Sequence, residues 1–155
     1  MHYKSGASFP EVVLSVLLTN KESHMAKLRH VAMSVQNPEE TADFYCKTFE
    51  MEIVGRTDSP LASGIYLSDG TMSLALLKYK DDKWAGTDKD VPGINHVGFW
   101  VDDLDAQAAI VEQNGGVFFN ELPLEKNSLY YELKFKDPNG IIFDISHNGW
   151  VGAKK

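Results

Sequence analysis

Cysteine is almost absent from this chain: Cys46 is the only one in 155 residues. An intrachain disulfide is therefore excluded, which suits a reducing compartment and makes the cytoplasm the expected location. Cys46 falls in a segment that reads as helix, with no histidine near it in sequence, so a buried, inert thiol is expected. Long apolar runs are lacking too. The longest, residues 12–18, is interrupted by Ser15 and falls far short of the roughly 20 residues that span a bilayer. Only Lys4 precedes it with fixed positive charge, and no small-residue cleavage site follows, so it does not read as a signal peptide. No block of lysine and arginine occurs, and the net charge is −7. Nucleic acid and anionic membranes are thereby removed as expected partners, and a small-molecule ligand is left.

What is present fits one globular domain with a real core, at 43% apolar and 24% charged residues. Residues 1–24, which include His2 and His24, do not match the pattern that follows. Lys21-Glu22 can be encoded as AAGGAG, a bacterial ribosome-binding sequence, shortly before Met25. Met25 is accordingly expected to be the natural start, with an extra strand or helix over 11–18 as the alternative.

The chain then repeats itself. Arg29-His30-Val31-Ala32-Met33-Ser34-Val35 lies over Asn95-His96-Val97-Gly98-Phe99-Trp100-Val101, at an offset of 66 residues. Both runs alternate as half-buried strands do. A helix start follows each. Asn37 before Pro38, Glu39 and Glu40 is a capped N-terminus, and Asp102 or Asp103 plays that part in the second copy. The second helix is stopped by Asn114-Gly115-Gly116. Three strands are expected after each helix: 52–57, 64–68 and 71–78, then 116–120, 129–136 and 141–147. Asp69-Gly70 and Asp137-Pro138-Asn139-Gly140 supply the turns. The expected fold is thus α+β: a domain over 25–155 made of two tandem βαβββ modules, 26–78 and 94–150. A polar linker over 79–93 joins them, anchored by Trp84. The two modules form a cupped mixed sheet with the helices outside.

Alternation orients the strands. Leu133, Phe135, Ile141, Phe143 and Ile145 face the helix, so Tyr130, Glu132, Lys134, Asp144 and Ser146 face the cup. In the first module Tyr66, Ser73 and Ala75 point inward, and Trp100 does so in the second. His30 and His96 hold equivalent inward positions, and Asp144 faces them from the last strand. Two imidazoles and one carboxylate suffice to hold a divalent ion and leave positions open for substrate. His147, three residues after Asp144, points the other way. Glu132 and Lys134 read either as a proton-transfer pair or as an ion pair at the sheet rim. Tyr130 and Tyr66 either donate to a developing oxyanion or fill the cup. Trp100 either stacks on a flat substrate or is a core aromatic.

The stretches "HVAMSV…FYCKTFEM", "INHVGFWVDD" and "DPNGIIFD" carry a resemblance to the vicinal-oxygen-chelate (VOC) superfamily over about residues 26–150. That superfamily groups glyoxalase I, bleomycin-resistance proteins, fosfomycin-resistance transferases and extradiol dioxygenases. The resemblance places up to four ligand positions on His30, Ala75, His96 and Asp144, and Ala75 cannot ligate. Glyoxalase I-like enzymes fill all four. Extradiol dioxygenases use two histidines and a carboxylate, usually Glu, which this set matches with Asp144. They also place a tyrosine where Lys134 stands and an acid/base histidine that has no counterpart over 122–131. Fosfomycin-type transferases share the three-ligand pattern and a tyrosine like Tyr66, but have a threonine at the place of Ala32.

The expected function is a metal-dependent enzyme acting on a small, oxygen-rich molecule chelated to the ion, leaning to a non-haem Fe(II) dioxygenase. Fe²⁺ is the favoured ion, with Zn²⁺, Ni²⁺, Co²⁺ or Mn²⁺ as alternatives. The rival readings are a glyoxalase I-like lyase or isomerase, and a metal-free drug- or metabolite-binding protein. By resemblance a homodimer is expected, with the site either within one chain or shared across two.

Overall fold

A computed structural model describes residues 25–155 of the protein. The expectations for residues 1–24 lie outside the described residues. The chain runs β1 (Lys27–Ser34), α1 (Pro38–Phe49), β2 (Glu52–Asp58), β3 (Ala62–Ser68) and β4 (Ser73–Tyr79). A short helix, α2 (Asp82–Ala85), leads to β5 (Gly93–Trp100), α3 (Leu104–Gln113), β6 (Val117–Glu121), β7 (Leu133–Lys136) and β8 (Ile142–Ser146). This is the α+β, twice-repeated βαβββ arrangement.

Local chemistry sets the helix ends. The Asn37 side chain accepts from the Glu40 N–H, and Asp103 rather than Asp102 accepts from the Ala106 N–H. Each bond satisfies one of the donors that a helix start leaves without a partner. The hairpin turns are held the same way, with the Asp69 carboxylate taking the N–H groups of Thr71 and Met72. That use of two backbone donors explains why β4 starts at Ser73, two residues later than the alternation suggests.

The eight strands of the described residues form one sheet in the order β2-β3-β4-β1-β5-β8-β7-β6. Within each module the first strand runs parallel to the last, β1 beside β4 and β5 beside β8. The modules meet where β1 pairs antiparallel with β5. Apolar side chains then fall into separate groups. Val35, Ala42, Ile65, Leu67 and Leu76 pack under α1, and Val101, Leu104, Tyr131, Phe135 and Ile145 under α3. A further group on the cup side comprises Ala32, Ala62, Ala75, Leu77, Tyr79 and Ala85.

Three local expectations need correction. Cys46 is half-buried against the α1 core group rather than fully buried. The seventh strand covers only Leu133–Lys136, because the Tyr131 N–H turns back to the Ser128 carbonyl and takes the preceding residues out of the ladder. Tyr79, assigned to the linker, closes β4 and is buried in the cup. Trp84 packs against the same group.

Candidate metal centre

The middle of the sheet concentrates the chemistry. His30 stands on β1, His96 on β5 and Asp144 on β8, three adjacent strands. The ladders align Ala32 with His96, His30 with Gly98, and Gly98 with Asp144. The three side chains are all buried, and each offers a ligand atom within 4.8 Å of the others. The cluster is assembled within one chain. The ladders also explain Ala75. Ala32 pairs with Ala75 as Gly98 pairs with Asp144, so Ala75 is the repeat equivalent of Asp144 and offers no donor at that place.

The protonation of His96 follows from its neighbours. The Asn95 amide NH₂ donates to the Ala85 carbonyl at 2.9 Å, so its oxygen faces the other way. That oxygen accepts from the Tyr79 hydroxyl at 3.2 Å and stands 2.7 Å from His96 Nδ1. Nδ1 therefore carries the proton, and Nε2 presents a lone pair. Nε2 points at Asp144 Oδ2, 3.0 Å away, and no donor reaches it. Two lone pairs facing at that distance in a buried site repel unless a cation or a shared proton lies between them. Asp144 Oδ1 and His30 Nδ1 are also buried without hydrogen-bond partners. Buried polar atoms are rarely left so. The donor set therefore fits a divalent ion with nitrogen and oxygen ligands.

Lys134 is the other cation in the cluster. It lies opposite Asp144 in the β7–β8 ladder. Its Nζ donates to Asp144 Oδ2 at 2.6 Å and sits 2.9 Å from Glu132 Oε1. Glu132 Oε2 accepts from the indole N–H of Trp150 at 2.9 Å. The Trp150 ring also stacks on His30, with centroids 4.8 Å apart and planes 3° from parallel. Gly98 permits this approach, since a Cβ there would come within 2.6 Å of the Trp150 ring.

Burial controls the electrostatics. Desolvation, then the neighbouring His96, lowers His30 to about 3. Desolvation, then the Lys134 ammonium, lowers His96 to about 3. Burial likewise disfavours the charge on Lys134, but Asp144 and Glu132 outweigh it and its pKa is raised. Asp144 is also raised, because burial penalises the carboxylate more than Lys134 favours it. Both histidines are thus neutral, as metal ligands must be.

A stability test follows. Below pH 6.5 the unfolded chain protonates both imidazoles, while the folded chain resists until about pH 3. The unfolded state then binds more protons, so stability falls as pH falls through that window. Asp144 works in the opposite sense, since its raised pKa lets the folded state take a proton first. Urea unfolding of chelator-treated protein is expected to lose between about 1.4 and about 2.7 kcal/mol per pH unit in the steep region below pH 6.5. A flat or rising profile from pH 6.5 to 5 is incompatible with two buried neutral histidines.

A cavity of about 190 Å³ opens over the cluster. Its floor is His30, His96, Glu132 and Lys134, and its walls include Leu61, Leu77, Trp84, Leu122 and Leu124. Tyr66 and Ala75 line it from the first module, and Tyr130 from the loop before β7, with the Tyr66 and Tyr130 rings 5.6 Å apart. Tyr66 is raised by burial, then by Glu132, and keeps its hydroxyl proton. Ser73 is fully buried behind the lining, and its hydroxyl has no hydrogen-bond partner. Trp100, expected to face the cup, lies outside the lining. Its indole N–H donates to the His147 carbonyl, and its ring packs over Gly149 where the chain turns away from β8. His147 is also outside the lining.

Trp150, Tyr79 and Asn95 complete the site and were not singled out by the sequence. Trp150 follows the last strand in a glycine-rich turn where no periodicity assigns a direction. Asn95 was legible in principle, as an amide immediately before a candidate ligand.

Comparison with known proteins agrees with this fold. Similar folds include methylmalonyl-CoA epimerase from Mycobacterium tuberculosis, with a TM-score of 0.63 and 18% identity over 84% of this chain and 93% of that one. A Streptomyces coelicolor methylmalonyl-CoA epimerase variant in complex with 2-nitronate-propionyl-CoA gives 0.61 and 18%, covering 78% and 96%. A hypothetical protein from Bacillus halodurans gives 0.62 and 17%, covering 77% and 92%. At such identities these likenesses establish the fold alone. No curated protein matches the sequence. The family description Glyoxalase/Bleomycin resistance protein/Dioxygenase superfamily matches residues 27–145, and the chain belongs to that superfamily.

Proposed function

We propose that this chain is a metal-dependent enzyme that moves a proton on a small molecule bearing two neighbouring oxygens. The observation that carries the metal is the bare Nε2 lone pair of His96 facing Asp144 Oδ2 at 3.0 Å. His30, His96 and Asp144 would hold the ion. When bound, it would supply Lewis acidity at a substrate oxygen.

The chain's own residues supply the rest. Glu132 is held on both oxygens, by Lys134 and Trp150, and borders the cavity. It is placed to accept a proton from a carbon beside the polarised oxygen and to return it. The protonated Tyr66 hydroxyl is placed to donate to a substrate oxygen. The walls are largely apolar, and the cavity is smaller than the roughly 300–1,000 Å³ usual for ligand sites, so a compact substrate fits. The methylmalonyl-CoA epimerases of the same fold are consistent with proton transfer. The ligand set of two histidines and one carboxylate also suits Fe²⁺ and dioxygen, which is the second reading. A cytoplasmic homodimer is the proposed working state. No described helix is long and apolar enough to cross a membrane.

Elemental analysis of protein purified without chelators or a His-tag tests the reading. One divalent ion per chain is expected, and His96→Ala is expected to lose it. Candidate hydroxy-ketones should then exchange a carbon-bound hydrogen with deuterated water without consuming oxygen. Iron with oxygen uptake on catechols would move the assignment to the dioxygenase. No metal in either protein, even after reconstitution, would leave a metal-free binding protein.

A further inference from the structure

Lys134 has no partner role in an ordinary two-histidine, one-carboxylate site, yet it is buried at the centre of this one. Its ammonium takes the same oxygen, Asp144 Oδ2, that His96 Nε2 faces. An ion seated between Nε2 and Oδ2 would lie next to this ammonium. Two cations in so dry a place repel strongly. Lys134 has a second anchor, since Glu132 Oε1 is 2.9 Å from Nζ. Glu132 is itself held by the Trp150 indole N–H, independently of Lys134.

Resting on the metal reading above, we propose that Lys134 is the site's internal counter-cation, which holds Asp144 in the metal-free protein and yields it to the incoming ion by retiring to Glu132. Metal loading is then an exchange of one cation for another at Asp144. The cost of that exchange sets the affinity. Lys134 keeps the metal-free site folded and makes the bound ion easier to lose than the three ligands alone would dictate. The same residue becomes a determinant of which ions stay. Ions that bind these ligands weakly are excluded, and those high in the divalent affinity order displace the ammonium.

Zinc binding measured by competition with a chromophoric chelator tests this, on wild type, Lys134→Met and Lys134→Gln, with thermal unfolding in parallel. Both variants are expected to bind Zn²⁺ about tenfold or more tightly than wild type, from loss of a neighbouring positive charge. Their metal-free melting temperatures are expected to drop, with Zn²⁺ recovering most of the loss. A variant that folds only with Zn²⁺ supports the proposal as well. Equal or weaker Zn²⁺ binding in the variants overturns it, and would mean that the ion takes Oδ1 and leaves Lys134 on Oδ2. A variant that stays unfolded with Zn²⁺ present also overturns it, since the lysine would then be purely structural. Failure of every form, wild type included, to bind Zn²⁺ defeats the underlying metal reading instead.

Discussion

Asp144→Ala is expected to cost about 3 kcal/mol of stability in the metal-free protein and to abolish metal binding. Asp144 is fully buried and contacts both Lys134 and His96. Its removal leaves Lys134 charged and buried with Glu132 as its remaining carboxylate. Breaking a buried pair by deleting one partner typically costs roughly 3–5 kcal/mol, and the surviving Glu132 contact places this case at the low end. Asp144→Asn separates charge from shape. It fills the same space, so it should unfold at higher urea than the alanine variant while binding no more metal. If Asp144→Ala were as stable as wild type, the ion pair with Lys134 would contribute nothing net.

Trp150→Ala is expected to destabilise by about 3–5 kcal/mol, the range for removing a large buried aromatic side chain. The ring is 4% exposed and covers His30, and its N–H is a hydrogen-bond donor to Glu132. The informative variant is Trp150→Phe, which retains a stacking ring and removes the N–H. Its stability loss should be small, about 1 kcal/mol. Turnover should fall roughly tenfold or more, because Glu132 loses one of the two contacts that aim it. The pH dependence of kcat should shift with it, which a merely structural tryptophan would not cause. Unchanged kcat and unchanged pH profile in Trp150→Phe would remove Trp150 from the positioning of Glu132.

The sequence disclosed the centre of the site better than its walls, for a physical reason. His30, His96 and Asp144 sit inside strands, where period-two alternation and the 66-residue repeat assign each side chain a face. Lys134 follows by parity from Asp144, across a turn that fixes register, while Glu132 stands just before β7 and still borders the cavity. Trp100 has the parity of His96, but it ends its strand, where the cup gives way to the turn at Gly149. Tyr130 lies outside the strand assigned to it and still reaches the cavity, because the loop before β7 contributes Leu122, Leu124 and Tyr130 to its lining. Trp150 could not be placed from sequence, since its position depends on the path taken after β8. The tail contacts that fix that path, such as the Gly152 carbonyl accepting from the Ser68 hydroxyl, are made across 84 residues of sequence.

The antiparallel pairing of β1 with β5 has an assembly meaning. Two equivalent strands of equivalent modules, paired antiparallel, are related by a local two-fold axis, the symmetry of an isologous dimer interface. The chain can be viewed as a homodimer made permanent by a connecting segment. Covalent linkage frees such a pair from the requirement that both halves be identical. The asymmetry is visible at one ladder position, where the first module carries Ala75 and the second Asp144. A symmetric pair would have to place the same residue in both. An odd set of three candidate donors, His30, His96 and Asp144, is thus available to a fused pair and forbidden to a symmetric one.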